Sequence, residues 1–179
     1  EGDRKTSQMA RSPGKAGDLV VLSASPRGSR AKRASMIVWS TIGTSSPPVA
    51  IKTGLLGTAA QIELVARWVD RLRTRGPVAL VVDPVLSATT GASFANADAL
   101  RAYRDVLLPR ASFITPNRKE AARLLDESAP PQRAQLPSMA RSLLRLGVQA
   151  VAITGGDDID DGSSMALDWL HTAQAEGWL

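Results

Sequence analysis

Gly76-Pro77-Val78-Ala79-Leu80-Val81-Val82-Asp83-Pro84 holds a helix stop, a strand and a strand end in nine residues. Proline lacks a backbone N–H and glycine samples non-helical conformations, so Gly76-Pro77 ends any helix before it. The run Val78 to Val82 is continuously apolar and rich in β-branched side chains. That pattern predicts a strand buried on both faces of a parallel sheet. Asp83-Pro84 ends the strand and leaves a carboxylate at its carboxyl end, the side on which open α/β sheets bind ligands.

Working outward, Val49 to Ile51 reads as a short strand followed by the glycine-punctuated turn Gly54 to Gly57. Ile62, Val65, Ala66, Val69 and Leu72 recur at helical spacing and predict a helix that stops at Gly76. Beyond Pro84, a loop with Thr89, Thr90 and Gly91 leads to a helix around Ala97 to Leu108, a strand from Ala111 to Ile114 and a helix from Asn117 to Leu125. Asp126 to Pro137, with three prolines, reads as a loop. A helix from Ser138 to Leu146 stops at Gly147, and Val148 to Thr154 forms a strand ending in Gly155-Gly156. The acidic turn Asp157 to Gly162 separates it from a final strand near Met165 to Trp169. Strands alternating with helices on short connections predict an α/β fold with a mostly parallel sheet flanked by helices. Asp83, Thr115 to Glu120, and Thr154 to Gly156 are then expected to converge on one sheet edge.

Composition narrows the chemistry. The 179 residues are 44% hydrophobic and 22% charged, a globular balance with enough apolar material for a core. Cysteine is absent, which excludes disulfides, thiolate metal sites and a cysteine nucleophile. A single histidine, His171, excludes any site built on two imidazoles, and it reads as a plain surface residue. No apolar run approaches the roughly 18 residues of a membrane span. The stretch Leu19 to Ala24 is shorter than the roughly 7 to 15 residues of a signal-peptide core. A soluble, cytoplasmic protein without a membrane partner is the expectation.

The charge divides the chain. Residues 1–48 carry eight basic and three acidic side chains, which accounts for the whole net charge of +5; the remainder carries fourteen of each sign. Residues 1–48 are therefore expected to form a basic, divergent and poorly ordered N-terminal segment, with short apolar stretches at Leu19 to Leu22 and Met36 to Trp39, and residues 49–179 the folded domain. A basic arm can bind nucleic acid by neutralising phosphates, but Trp39 is its lone aromatic and offers no stacking platform, so nucleic acid is disfavoured.

Each candidate motif also has a plain structural reading. Asn117 followed three residues later by Glu120 is the pattern of a helix capping box. Gly155-Gly156 can bring backbone N–H groups to a phosphate or simply turn the chain. Asp83 can bind a metal or cap the turn at Pro84. Asp157, Asp161, Gly162 and Asp168 fall at calcium-loop spacing, but Ile159 stands where a ligand oxygen is needed, so a solvated turn is the better account.

In order and spacing the motifs are informative. Lys52-Thr53-Gly54-Leu55-Leu56-Gly57, Val81-Val82-Asp83-Pro84-Val85, Leu108-Pro109, Thr115-Pro116-Asn117-Arg118-Lys119-Glu120-Ala121, Leu146-Gly147 and Thr154-Gly155-Gly156 together resemble the hydroxymethylpyrimidine and phosphomethylpyrimidine kinases of thiamine biosynthesis, which have a ribokinase-like fold. The resemblance implies transfer of the ATP γ-phosphate, with Mg2+, to 4-amino-5-hydroxymethyl-2-methylpyrimidine and then to its monophosphate. It implies that Asp83 and Glu120 hold the metal, that Asn117, Glu120, Thr154, Gly155 and Gly156 line the nucleotide site, and that Gly54 and Leu55 border the pyrimidine. The partners implied are that small-molecule pyrimidine and ATP; assembly as a homo-oligomer is left open. The family's glycine-rich opening and its Gly-Thr-Gly-Cys loop have no counterpart in the sequence. No catalytic residue is therefore assigned, and a truncated form with little or no kinase activity is expected. Two other readings stay open: a pyridoxal kinase, whose family shares a Thr-Pro-Asn segment, and a non-catalytic kinase homologue.

Overall fold

A computed structural model describes the backbone of residues 19–22 and, with side chains, residues 48–87, 93–155 and 167–179. Among them, seven strands form one sheet in chain order: β1 (Leu19–Leu22), β2 (Ala50–Thr53), β3 (Ala79–Val82), β4 (Phe113–Ile114), β5 (Val151–Ile153), β6 (Trp169–His171) and β7 (Glu176–Trp178). Strands β1 to β5 are parallel, and β6 and β7 add antiparallel. The mostly parallel α/β reading holds. Leu19 to Leu22, which has neither caps nor turn signals around it, is a strand paired in register with β2. Met36 to Trp39, Thr89 to Gly91 and the acidic turn at 157–162 lie outside the described residues.

Helices α1 (Ala59–Arg73), α2 (Ala97–Ala102), α3 (Arg118–Leu124) and α4 (Leu136–Leu144) fill the connections. Thr58 caps α1 and forms a reciprocal box with Gln61. Of the stripe the spacing predicts, Ile62, Val65, Ala66 and Val69 are buried and Leu72, its last member, is partly buried against the core. At its end, Arg73 donates Nε to the Val78 carbonyl at 3.1 Å and Nη2 to the Arg110 carbonyl at 2.8 Å. The end of α1 is thereby fastened to the start of β3.

The strand at Val78 to Val82 departs from the expectation of burial on both faces. Leu80 and Val82 are buried while Ala79 and Val81 are partly exposed, and β2 repeats the alternation with Ile51 and Thr53 buried and Ala50 and Lys52 partly exposed. The cause is topological. Successive parallel strands step in one direction across the sheet, so right-handed crossovers put the connecting helices on the same face. The other face of β2 and β3 keeps contact with solvent.

Two helices have different bounds from those read in the sequence. The helix expected from Ala97 to Leu108 is α-helical only to Ala102, then widens into a π turn at Tyr103–Leu107 and tightens into a 3-10 turn at Leu108–Arg110. The extra residue in the turn brings Tyr103, Leu107 and Leu108, all fully buried, onto the core side together. Helix α4 starts at Leu136 rather than Ser138, with Pro137 in the first turn, where a missing N–H costs nothing.

Strand β5 is shorter than Val148 to Thr154, because Gly147 turns the chain at φ 95. The strand placed near Met165 to Trp169 begins at Trp169, and its hairpin with β7 packs Trp169 edge-on against Trp178 at 5.0 Å. His171 is not a plain surface residue: it lies on β6, mostly shielded, with Nδ1 3.1 Å from Glu176 Oε2.

Candidate functional site

The parallel strands end together on one edge. Asp83 N–H donates to the Thr53 carbonyl at 3.1 Å, and Thr115 N–H to the Val82 carbonyl at 3.0 Å. Asn117 and Thr154 form a parallel bridge, with Thr154 N–H donating to the Pro116 carbonyl at 2.9 Å. Thr53-Gly54, Asp83, Asn117 and Thr154 are thus held side by side beyond the ends of β2, β3, β4 and β5. Gly54 and Leu55 are partly exposed at the β2 end of this edge.

Asn117 and Glu120 make the capping box in full. Asn117 Oδ1 accepts the Glu120 N–H at 2.9 Å, and Glu120 Oε2 accepts the Asn117 N–H at 2.9 Å. Glu120 does more than cap. Its Oε1 accepts the Leu86 N–H at 3.3 Å, which binds the loop after Asp83 to the start of α3. Burial raises the Glu120 pKa above the usual glutamate range; the N–H groups of Asn117 and Leu86 oppose the shift, the Asp83 charge adds to it and the Arg123 charge opposes it. The two acids therefore sense one another across the edge.

Asp83 lies on the solvent face with Lys52, whose Nζ is 2.7 Å from Asp83 Oδ2. Among the described residues no group of three or more histidine, cysteine or acidic side chains could hold a metal alone. Asp83 and Glu120 are the two carboxylates of this edge, and that donor type and number suit magnesium, which takes one or two protein carboxylates and completes its shell with water and phosphate oxygens.

Gly155 is fixed by the 167–168 backbone. A Cβ there would lie 2.6 Å from the Leu167 carbonyl oxygen, so the close approach demands glycine. Its N–H donates to Asp168 Oδ1 at 2.9 Å. Asp168, which falls at a calcium-loop position in the sequence, serves as the partner of this strand end. Gly156 lies outside the described residues.

Four residues of this edge have roles that the sequence alone does not assign. Lys52 stands in a quoted motif and Asp168 at a calcium-loop position, but their partners Asp83 and Gly155 appear only in the structure. Arg123 donates to the Leu86 carbonyl at 3.0 Å, Ser93 Oγ at 2.9 Å and the Ala95 carbonyl at 3.0 Å, gathering both sides of the post-β3 loop. Tyr103, fully buried, has its phenol pKa driven up mainly by burial, with Glu120 and Asp83 adding to the shift.

A parallel sheet whose strand ends gather an aspartate, a capping box and a glycine along a common edge defines an α/β protein of the kind that takes its ligands beyond the carboxyl ends of its strands. The sequence profile of the phosphomethylpyrimidine kinase family matches residues 38–179, and the chain belongs to that family. It is 36% identical over 128 residues to the hydroxymethylpyrimidine/phosphomethylpyrimidine kinase of Escherichia coli, covering 72% of this chain and 47% of that one. To the enzyme of the same name from Synechococcus elongatus it is 39% identical over 128 residues, covering 72% and 46%. Among solved structures, a phosphomethylpyrimidine kinase from Clostridium difficile superposes with a TM-score of 0.61 at 27% identity, covering 74% of this chain and 54% of that one. An ADP complex of Bacillus subtilis pyridoxal kinase does so with a TM-score of 0.61 at 29% identity, covering 74% and 48%. The chain spans about half the length of these relatives.

Proposed function

We propose that the protein serves the ATP-dependent phosphorylation of 4-amino-5-hydroxymethyl-2-methylpyrimidine and its monophosphate, in the cytoplasm, and that the described edge is the part that holds the magnesium and phosphate groups. The observation that carries this reading is the joining of Asp83, its following loop and Glu120 through the Leu86 N–H. Phosphoryl transfer asks a protein mainly for positioning and neutralisation of charge; this edge would supply the positioning, and magnesium on its carboxylates the neutralisation.

In this reading Asp83 and Glu120 would hold magnesium, whose chemistry is to neutralise charge on the phosphate oxygens. Asn117 fixes the Glu120 carboxylate through the capping box while presenting the start of α3. Thr154 and Gly155 close the β5 side, and Gly54 and Leu55 bound the pyrimidine at the β2 side. The relatives' names supply the substrate; the likeness to a pyridoxal kinase supplies its rival.

The test is ATP turnover by the purified chain with hydroxymethylpyrimidine, its monophosphate or pyridoxal as acceptor. Turnover that depends on either pyrimidine supports the reading, and pyridoxal-dependent turnover alone favours the rival. Magnesium-dependent nucleotide binding without transfer to any of the three acceptors would count against the phosphorylation reading and leave only the binding assignment in place.

A further inference from the structure

We propose that Lys52 exchanges partners at this edge: its ammonium, which neutralises Asp83 in the structure, becomes the cation that grips a phosphate group once magnesium takes Asp83. The inference rests on the magnesium and phosphate reading above and adds a residue and a charge exchange to it.

Geometry places the pair. Lys52 is opposite Val81 in the β2–β3 register, so its side chain and that of Asp83, two residues further on, occupy one sheet face as diagonal neighbours. Nζ and Oδ2 are 2.7 Å apart, and the side chains are 39% and 34% exposed. Water reaches both partners, so the pair is weak and opens readily. The lysine stem is flexible and carries a compact charge with three donors, which suits it to leave one anion for another without moving the strand.

Charge balance supplies the direction. A divalent ion that coordinates the Asp83 carboxylate competes with the ammonium for its negative charge, whichever of the two oxygens it takes. The displaced ammonium remains tethered at the same edge, where a phosphate adds at least one further negative charge beside Asp83 and Glu120. Nearby arginines are otherwise employed: Arg123 holds three oxygen acceptors of the loop and Arg118 holds the Pro131 carbonyl. The phosphate can come from the nucleotide or from the pyrimidine monophosphate, and the test separates them.

The experiment compares the whole chain with Lys52→Met by calorimetric titration of magnesium alone, a non-hydrolysable ATP analogue with magnesium, the pyrimidine monophosphate and the unphosphorylated pyrimidine. The expected result has opposite signs: magnesium alone binds as well or better, while one phosphate-bearing ligand loses about tenfold or more, the scale of a charge-assisted contact. The ligand that loses affinity is the source of the phosphate, the unphosphorylated pyrimidine is unchanged, and Lys52→Arg retains part of the affinity. If Lys52→Met does not fold, Lys52→Gln takes its place. Equal weakening of magnesium and phosphate ligands overturns the proposal, because Lys52 then only steadies Asp83; so does unchanged binding of all four. If the unaltered chain binds neither magnesium nor phosphate, the proposal falls together with the reading beneath it.

Discussion

Glu120 Oε1 accepts the backbone N–H of Leu86 at 3.3 Å, so the first turn of α3 and the loop leaving β3 are one mechanical unit. A carboxylate that looks like an ordinary capping residue thereby controls where the Asp83 loop lies. The consequences can be measured.

The first concerns pH. The Glu120 pKa is raised above the ordinary glutamate range, chiefly by burial, so the folded protein holds this proton more tightly than the unfolded chain. Its contribution to stability is present below the ordinary glutamate value and is lost as pH rises through the higher folded value. Magnesium needs the ionised carboxylate, so its affinity falls on acidification from a pH above the usual glutamate range. Titrations across pH should show that slope in the unaltered chain and lose it in Glu120→Gln.

Arg123 should matter beyond its charge. Replacing it with alanine removes three contacts to the Leu86 carbonyl, Ser93 and the Ala95 carbonyl. With acceptors left unsatisfied, the loss should be about 1–3 kcal/mol of stability. Chemical denaturation reads this directly, and nucleotide affinity should fall with it because the Asp83 loop loses its anchor.

Gly155→Ala should be destabilising by about 1–3 kcal/mol, the usual cost of forcing a group into a packed site. The added Cβ would meet the Leu167 carbonyl oxygen at 2.6 Å, and backbone cannot yield as a side chain can. Asp168→Asn, which keeps an acceptor for the Gly155 N–H, should cost much less; equal losses in the two variants would contradict this account.

Asn117→Ala removes the side-chain half of the capping box. About 1 kcal/mol of stability should be lost, the ordinary price of a helix cap. Magnesium–nucleotide binding should weaken further than that, because Glu120 loses the ordered turn that aims it. A stability loss with unchanged binding would leave Asn117 a cap and nothing more.

Much of this was legible in the sequence, and the exceptions have physical causes. The buried stripe of α1 and the capping box at Asn117 are local, set by spacing within a few residues, and both appear in the structure. The strand at Val78 to Val82 was legible as a strand, whereas its half-open environment depends on which side the neighbouring crossovers pass. The π turn at Tyr103 follows from packing of the core against Leu107 and Leu108, which leaves no mark in the local pattern. The pairs Lys52–Asp83 and Gly155–Asp168 join positions far apart in the chain, so a single sequence shows the acids and the glycine without showing which partners complete them. Gly54, Leu55, Asp83, Asn117, Glu120, Thr154 and Gly155 were each nameable from the motifs; the loop anchor Arg123 was not, because its acceptors are mostly backbone carbonyls.

The central claim is that the strand edge at Asp83 and Glu120 holds magnesium and phosphate. The most direct measurement is calorimetric binding of a non-hydrolysable ATP analogue to the whole chain, with and without magnesium, beside Asp83→Asn. Saturable binding that requires magnesium and weakens about tenfold or more in Asp83→Asn is the predicted result, on the scale of losing a charged contact. Nucleotide binding that is indifferent both to magnesium and to Asp83 would contradict it.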